Sequence, residues 1–140
     1  AVQQYWADLG LDVKTGVQER NSFVFNRVLK GDFDAVLLQS SVQIDPDLSR
    51  RFHTNSIRNG QNFINYSNPE VDSLLDQGLA TSDQERRRQA YFEMQRILAT
   101  DLPQISLFYP KTMYAFKPGL QGIKPSPTSL FWNAEEWEWK

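Results

Sequence analysis

Residues 33 to 47 read FDAVLLQSSVQIDPD, an unbroken apolar run from Ala35 to Leu38 that passes directly into a polar turn. Four consecutive apolar residues leave no face for water, so Phe33 to Leu38 predicts a central strand covered by helices on both sides. Upstream, Leu11, Val13, Thr15 and Val17 alternate with Asp12, Lys14 and Gly16, the period of a strand with one buried face. Between them lies a helical stripe of Val24, Phe25, Val28 and Leu29, opened by Asn21 or Ser22 and closed by Gly31 as a left-handed cap. Strand, helix and strand over this length predict a parallel right-handed crossover, hence an α/β fold with helices packed on a sheet. In such sheets ligands gather beyond the carboxyl ends of the strands, which makes the polar turn after Leu38 the candidate site.

The rest of the chain is punctuated by local signals. Val2, Tyr5, Trp6 and Leu9 fall at helical spacing before Gly10, and no Ser, Thr, Asp or Asn precedes them as a cap, so the natural chain is expected to begin further upstream. Asp45-Pro46-Asp47 is a turn, with Asp47 placed to cap a short helix carrying Leu48 and Phe52, and TNSIRNGQN from Thr54 to Asn62 reads as loop. Asn68 with Pro69 opens a helix whose buried stripe is Val71, Leu74, Leu75 and Leu79. Ser82 and Glu85 have capping-box spacing ahead of a longer helix with Ala90, Tyr91, Met94, Ile97 and Leu98 on its apolar side, ending near Asp101 before Pro103. Residues 104–109 and 113–116 are β-prone, and the tail from Leu130 carries Trp132, Trp137 and Trp139 in too short a stretch to bury them by itself.

Composition narrows the function classes. The net charge of −2 comes from interspersed acids and bases, so there is no basic field for nucleic acid or an anionic membrane surface. The chain has no cysteine, which excludes disulfides, thiolate catalysis and cysteine-ligated metal centres. No apolar run is long enough to span a bilayer, and AVQQYWADLG lacks the form of a signal peptide. With 140 residues and 40% apolar content, one domain with a real core is expected.

The order of QQYWADLGLDV, LKGDFDAVLL, the DPD turn, NYSNPEVDSLLDQGLATSD, QRILATDLPQISLFYP and GLQGIKPSP before the tryptophan tail resembles the C-terminal part of the family 5 extracellular solute-binding proteins. Those proteins serve ATP-driven importers of peptides, nickel complexes and some glycans. The resemblance implies a fragment of the second lobe of a type II periplasmic binding protein over residues 1–117, with 118–140 as a C-terminal crossover tail. It also implies a periplasmic or extracellular location, with any lipid anchor in an N-terminal region outside this chain, and the importer's membrane subunits as partners. No cofactor, metal or catalytic residue is implied.

The site residues expected from this reading are Gln39, Ser40, Ser41, Gln43 and Asp45. In peptide-binding members the corresponding segment commonly reads Trp-Gly-Ala-Asp-Tyr-Pro-Asp-Pro, and its first aspartate receives the peptide's amino group. Here Gln39 occupies the tryptophan position and Val42 the aspartate position. A valine cannot pair with an ammonium, and an unpaired buried charge costs several kcal/mol. Uncharged amides and hydroxyls suit a peptide with a blocked amine or a related polar solute such as an oligosaccharide.

Other readings of the same residues are blander. Ser40, Ser41 and His53 lack the Gly-x-Ser-x-Gly elbow of a hydrolase, and Asp45 with Asp47 lacks the further oxygen ligands of a calcium loop. Arg86, Arg87 and Arg88 read as the solvated side of a helix, and the tryptophans as packing residues whose exposure in a fragment would promote self-association. The alternative functions are an α/β enzyme domain completed by upstream residues, and an interaction module whose contact is the tryptophan tail.

Overall fold

A computed structural model of the chain describes residues 1–40, 44–127 and 129–140. The core is a helical hairpin, α5 (Pro69–Leu79) against α6 (Gln84–Asp101), braced by two short helices, α3 (Ser49–Phe52) and α4 (Ser56–Asn59). Ahead of these come α1 (Val2–Asp8), α2 (Arg20–Asn26) and a 3-10 turn at Val28–Lys30. Behind them, β1 (Leu120–Gln121) pairs antiparallel with β2 (Glu138–Trp139), Leu120 opposite Trp139.

The hairpin forms where the local signals are densest. Asn68 accepts the amides of Glu70 and Val71 through Oδ1, and Pro69 occupies the first turn, where its missing N–H costs nothing. The second helix is capped one residue later than Ser82: Asp83 Oδ1 accepts from the Arg86 amide at 2.9 Å, and Thr81 Oγ1 accepts from the Asp83 amide. A carboxylate at that position also faces the positive end of the helix dipole. Val71, Leu75, Tyr91 and Met94 close over Phe52, with Leu48, Tyr66, Leu74, Ile97 and Leu98 around them. Burying each of these central side chains is worth about 1.5–3 kcal/mol.

Leu79 was expected on the buried stripe but is exposed; the buried position is Gly78, one residue earlier. The Tyr91 ring lies over Gly78, where an added Cβ would come within 2.5 Å of it. A glycine here lets the two helices approach closely, a role that a search for large apolar residues passes over. The segment 54–62 is likewise more ordered than a loop. It contains α4 and is held by Asn62, which is 1% exposed. Asn62 Nδ2 donates to the carbonyls of Tyr66 at 2.8 Å and His53 at 3.2 Å, and its Oδ1 accepts the Tyr66 amide at 3.0 Å.

The strand-helix-strand unit is not formed. Residues 11–17 and 33–38 carry no ladder, and Leu37, expected to be covered on both sides, is 74% exposed. The helix between them is present, shortened to α2 and its 3-10 extension, and Gly31 ends it at φ 67° as expected. Its N-terminus is capped by Glu19, whose carboxylate accepts from the Asn21 and Ser22 amides, in place of either predicted cap. Residues 104–109 and 113–116 likewise carry no ladder, with Tyr109 78% exposed. The reason is shared: a strand is stable only when its amides and carbonyls meet a neighbour and its apolar face meets another layer. Among the described residues the only ladder is β1 with β2. The observed architecture is therefore a small mixed helix and sheet fold dominated by helices.

The tail closes on itself. Asn133, fully buried, donates to the Gly122 carbonyl at 2.7 Å and accepts from Trp137 Nε1 at 3.2 Å. Trp132 Nε1 donates to the Lys124 carbonyl, and Lys124 pairs with Glu136. Trp132 and Trp139 stay more than half exposed, as expected of so short a segment.

Candidate functional site

The segment after Leu38 is anchored at both ends of its polar stretch by arginines from the helical core. At the near end, Arg51 of α3 donates from Nη1 to Ser40 Oγ at 3.2 Å. At the far end, Arg87 of α6 grips Asp45 with one nitrogen, Nη2 donating to both carboxylate oxygens at 2.9 and 2.8 Å. Nη1 of the same guanidinium donates to the Gly78 carbonyl at 2.8 Å, and the group lies over the Tyr91 ring, 5.3 Å from its centroid. Arg87 thus joins α5, α6 and the turn through three different contacts.

The turn itself is built by its carboxylates. Asp45 Oδ1 accepts the Asp47 amide, and Asp47 Oδ1 accepts the amide and hydroxyl of Ser49, starting α3. The N-cap position of α3 is Leu48, which makes no side-chain cap bond, so Asp47 acts one residue ahead of the capping position expected of it. Pro46 borders a shallow groove of about 250 Å³ along α6, walled by Arg87, Tyr91 and Phe92. The Tyr91 hydroxyl is buried beside this groove without a hydrogen-bond partner among the described residues, and burial pushes its pKa up.

Of the predicted site residues, Gln39 and Ser40 are exposed on the approach to the turn, and Asp45 is the residue held by Arg87. Ser41 and Gln43, together with Val42, lie outside the described residues. Gln39 and Ser40 offer uncharged donors and acceptors, whereas both oxygens of Asp45 already have partners in the chain. His53 stands between two carboxylates, Nδ1 3.6 Å from Asp72 and Nε2 3.5 Å from Asp76, while Ser40 is bonded to Arg51. The serine and the histidine of the hydrolase reading therefore each have other partners. No group of three or more metal-ligating side chains occurs among the described residues.

The residue missed by sequence reasoning is Arg87. Arg88 does lie on the solvated side, paired with Glu85. Arg87, however, precedes Ala90, Tyr91 and Met94 by three, four and seven positions, the spacing of the buried stripe itself. Its stem and guanidinium cover the edge of the core, and an arginine on that stripe is the signal that was available.

Comparison with known proteins gives a consistent set. The chain is 31% identical over 137 residues to the oligopeptide-binding protein AppA of Bacillus subtilis (strain 168), covering 97% of this chain and 25% of that protein. It is 32% identical over 130 residues to the probable D,D-dipeptide-binding periplasmic protein DdpA of Escherichia coli (strain K12), covering 91% of this chain and 25% of the relative. It is 27% identical over 124 residues to the probable di/tripeptide-binding protein 5 of Pseudomonas aeruginosa (strain UCBPP-PA14), covering 86% and 23% respectively. The chain thus spans about a quarter of the length of these curated relatives. No protein-family model matches the chain, and no solved structure matches it. Similarity to several peptide-binding proteins runs through nearly all of its residues, consistent with a piece of a protein that resembles the family 5 extracellular solute-binding proteins.

Proposed function

We propose that this chain is part of an extracellular solute-binding protein that captures a peptide, or a related polar solute such as an oligosaccharide, for an ABC importer. The observation that carries the reading is the match over 97% of the chain to a protein named for oligopeptide binding. Capture is non-covalent and involves no catalysed step. Residues 1–117 belong to the second lobe of a type II binding protein, and 118–140 form its crossover tail. The exposed apolar residues of 33–38 and 104–116 support this division, because they have the composition of strands and lack only a sheet to join.

On this reading the strand-helix-strand unit over residues 11–38 is completed by pairing with the remainder of a protein about four times as long. Gln39, Ser40, Ser41, Gln43 and Asp45 then belong to the cleft wall at the end of the Phe33 to Leu38 strand. The place of action is the periplasm or the outer cell surface, with the importer's membrane subunits receiving the loaded, closed form. No helix among the described residues is long and apolar enough to cross a membrane.

The test is a thermal-shift panel on the full-length protein, using short peptides with free and acetylated amino ends and a set of oligosaccharides. Binding should stabilise the folded state by about 2.7 kcal/mol when ligand is at a hundredfold excess over Kd. Free-amino peptides binding as well as acetylated ones would remove the argument from Val42. A panel in which no member shifts the transition would overturn the reading.

A further inference from the structure

We propose that Arg87 is a positioning residue for the ligand wall, and that Asp45 serves the wall as its anchor instead of meeting the solute. This deepens the reading above and rests on it for the ligand. Three contacts on one guanidinium carry the inference: the bifurcated grip on Asp45, the bond to the Gly78 carbonyl, and the face of Tyr91. The bond to Gly78 and the Tyr91 ring hold the guanidinium against the α5/α6 hairpin, the best-packed part of the chain, so it can transmit that rigidity to the turn. Asp45 in turn accepts the Asp47 amide, and Asp47 begins α3, whose Arg51 reaches Ser40. The path from hairpin to turn to Ser49 runs through hydrogen bonds, and the backbone of α3 carries it on to Arg51 and Ser40.

The consequence concerns specificity. With its oxygens directed to Arg87 and to the Asp47 amide, Asp45 offers no uncompensated negative charge to a solute. The described part of the wall therefore presents neutral groups, Gln39 and Ser40, which favours ligands recognised by amide and hydroxyl hydrogen bonds over those recognised by a cationic amine.

Two readouts on the full-length protein test this. The first is hydrogen exchange of the amides from residue 44 to residue 49 without ligand, in Arg87→Gln, Asp45→Asn and the double variant. Each single change should accelerate exchange by about fivefold, the scale of a partly exposed ion pair, and the double variant should add nothing further. Unchanged exchange in the single variants, or multiplying effects in the double, would overturn the anchor. The second is affinity for whichever panel member shifts the wild type. Arg87→Gln and Asp45→Asn should weaken binding by the same factor, with Arg87→Lys giving partial rescue. Loss on Asp45→Asn with none on Arg87→Gln would show that the carboxylate touches solute and overturn the proposal. A wild type that binds no panel member defeats the functional reading instead, while the exchange measurement still decides the anchor.

Discussion

Gly78 sets how closely α5 and α6 can pack, and replacing it with alanine opposes two effects of known sign. Alanine favours helix over glycine by up to about 1 kcal/mol, less in the last turn where Gly78 sits. Against this, the new Cβ would lie 2.5 Å from Tyr91 Cζ and 2.8 Å from its Cε1 and hydroxyl. The shortfall from an ordinary 3.4 Å contact is about 1 Å. The ring cannot yield cheaply, since Tyr91 is 2% exposed and capped by the Arg87 guanidinium. Overpacking of this kind costs about 1–3 kcal/mol. Gly78→Ala should therefore destabilise by about 1–2 kcal/mol, seen in urea unfolding as a midpoint lowered by roughly 1 M or less at an unchanged slope. The decisive comparison uses a Tyr91→Leu background, where the clash is relieved and only the propensity gain remains. There Gly78→Ala should be neutral or stabilising. A wild-type background in which Gly78→Ala is as stable as the parent would refute the packing argument outright.

Asn62→Ala should cost about 1–3 kcal/mol in the same unfolding assay, because it removes a buried side chain and leaves the partly buried carbonyl and amide of Tyr66 without their partner. A loss under 0.5 kcal/mol, on the order of a surface substitution, would mean that water replaces the side chain there. Alkaline pH should act through Tyr66, whose pKa is pushed up to about 12 by burial and by its hydrogen bond to Asp101. A folded pKa above the ordinary 10 means that this contribution is complete below pH 10 and is lost as pH rises toward 12. Phenolate absorbance should show late titration from Tyr66 beside the likewise raised Tyr91, and Tyr66→Phe should remove the Tyr66 part alone. The opposite limb belongs to Asp101, held below the usual carboxylate range first by the Tyr66 hydroxyl and then by Asn68. Its contribution is present at neutral pH and fades as acid protonates the carboxylate, and Tyr66→Phe should weaken that acid dependence too.

What could be read from residues alone follows the range of the forces involved. Asn68, Pro69 and the stripes of α5 and α6 act within a few residues of themselves, and both helices were legible with ends correct to within a residue or two. Ser82 lost its capping role to Asp83 because neighbouring residues with similar side chains compete for the same amides, and spacing alone does not rank them. Strands at 11–17 and 33–38 depend on partners distant in sequence, so a pattern that is correct in its apolarity still carries no ladder here. The site divides the same way. The Asp45-Pro46-Asp47 turn was legible, whereas the grip of Arg87 on Asp45 joins residues far apart in the chain and needed the fold to appear.

Asn133 has a consequence for alignment in the tail. A ladder as short as Leu120–Gln121 with Glu138–Trp139 has little of its own to prevent one strand from sliding along the other. The Asn133 amide reaches the carbonyl of Gly122, just past the first strand, while its oxygen holds Trp137, just before the second. One side chain thus indexes both strands from the loop between them. A slip by a single residue would break that index and turn Trp139 to the opposite face of the pair.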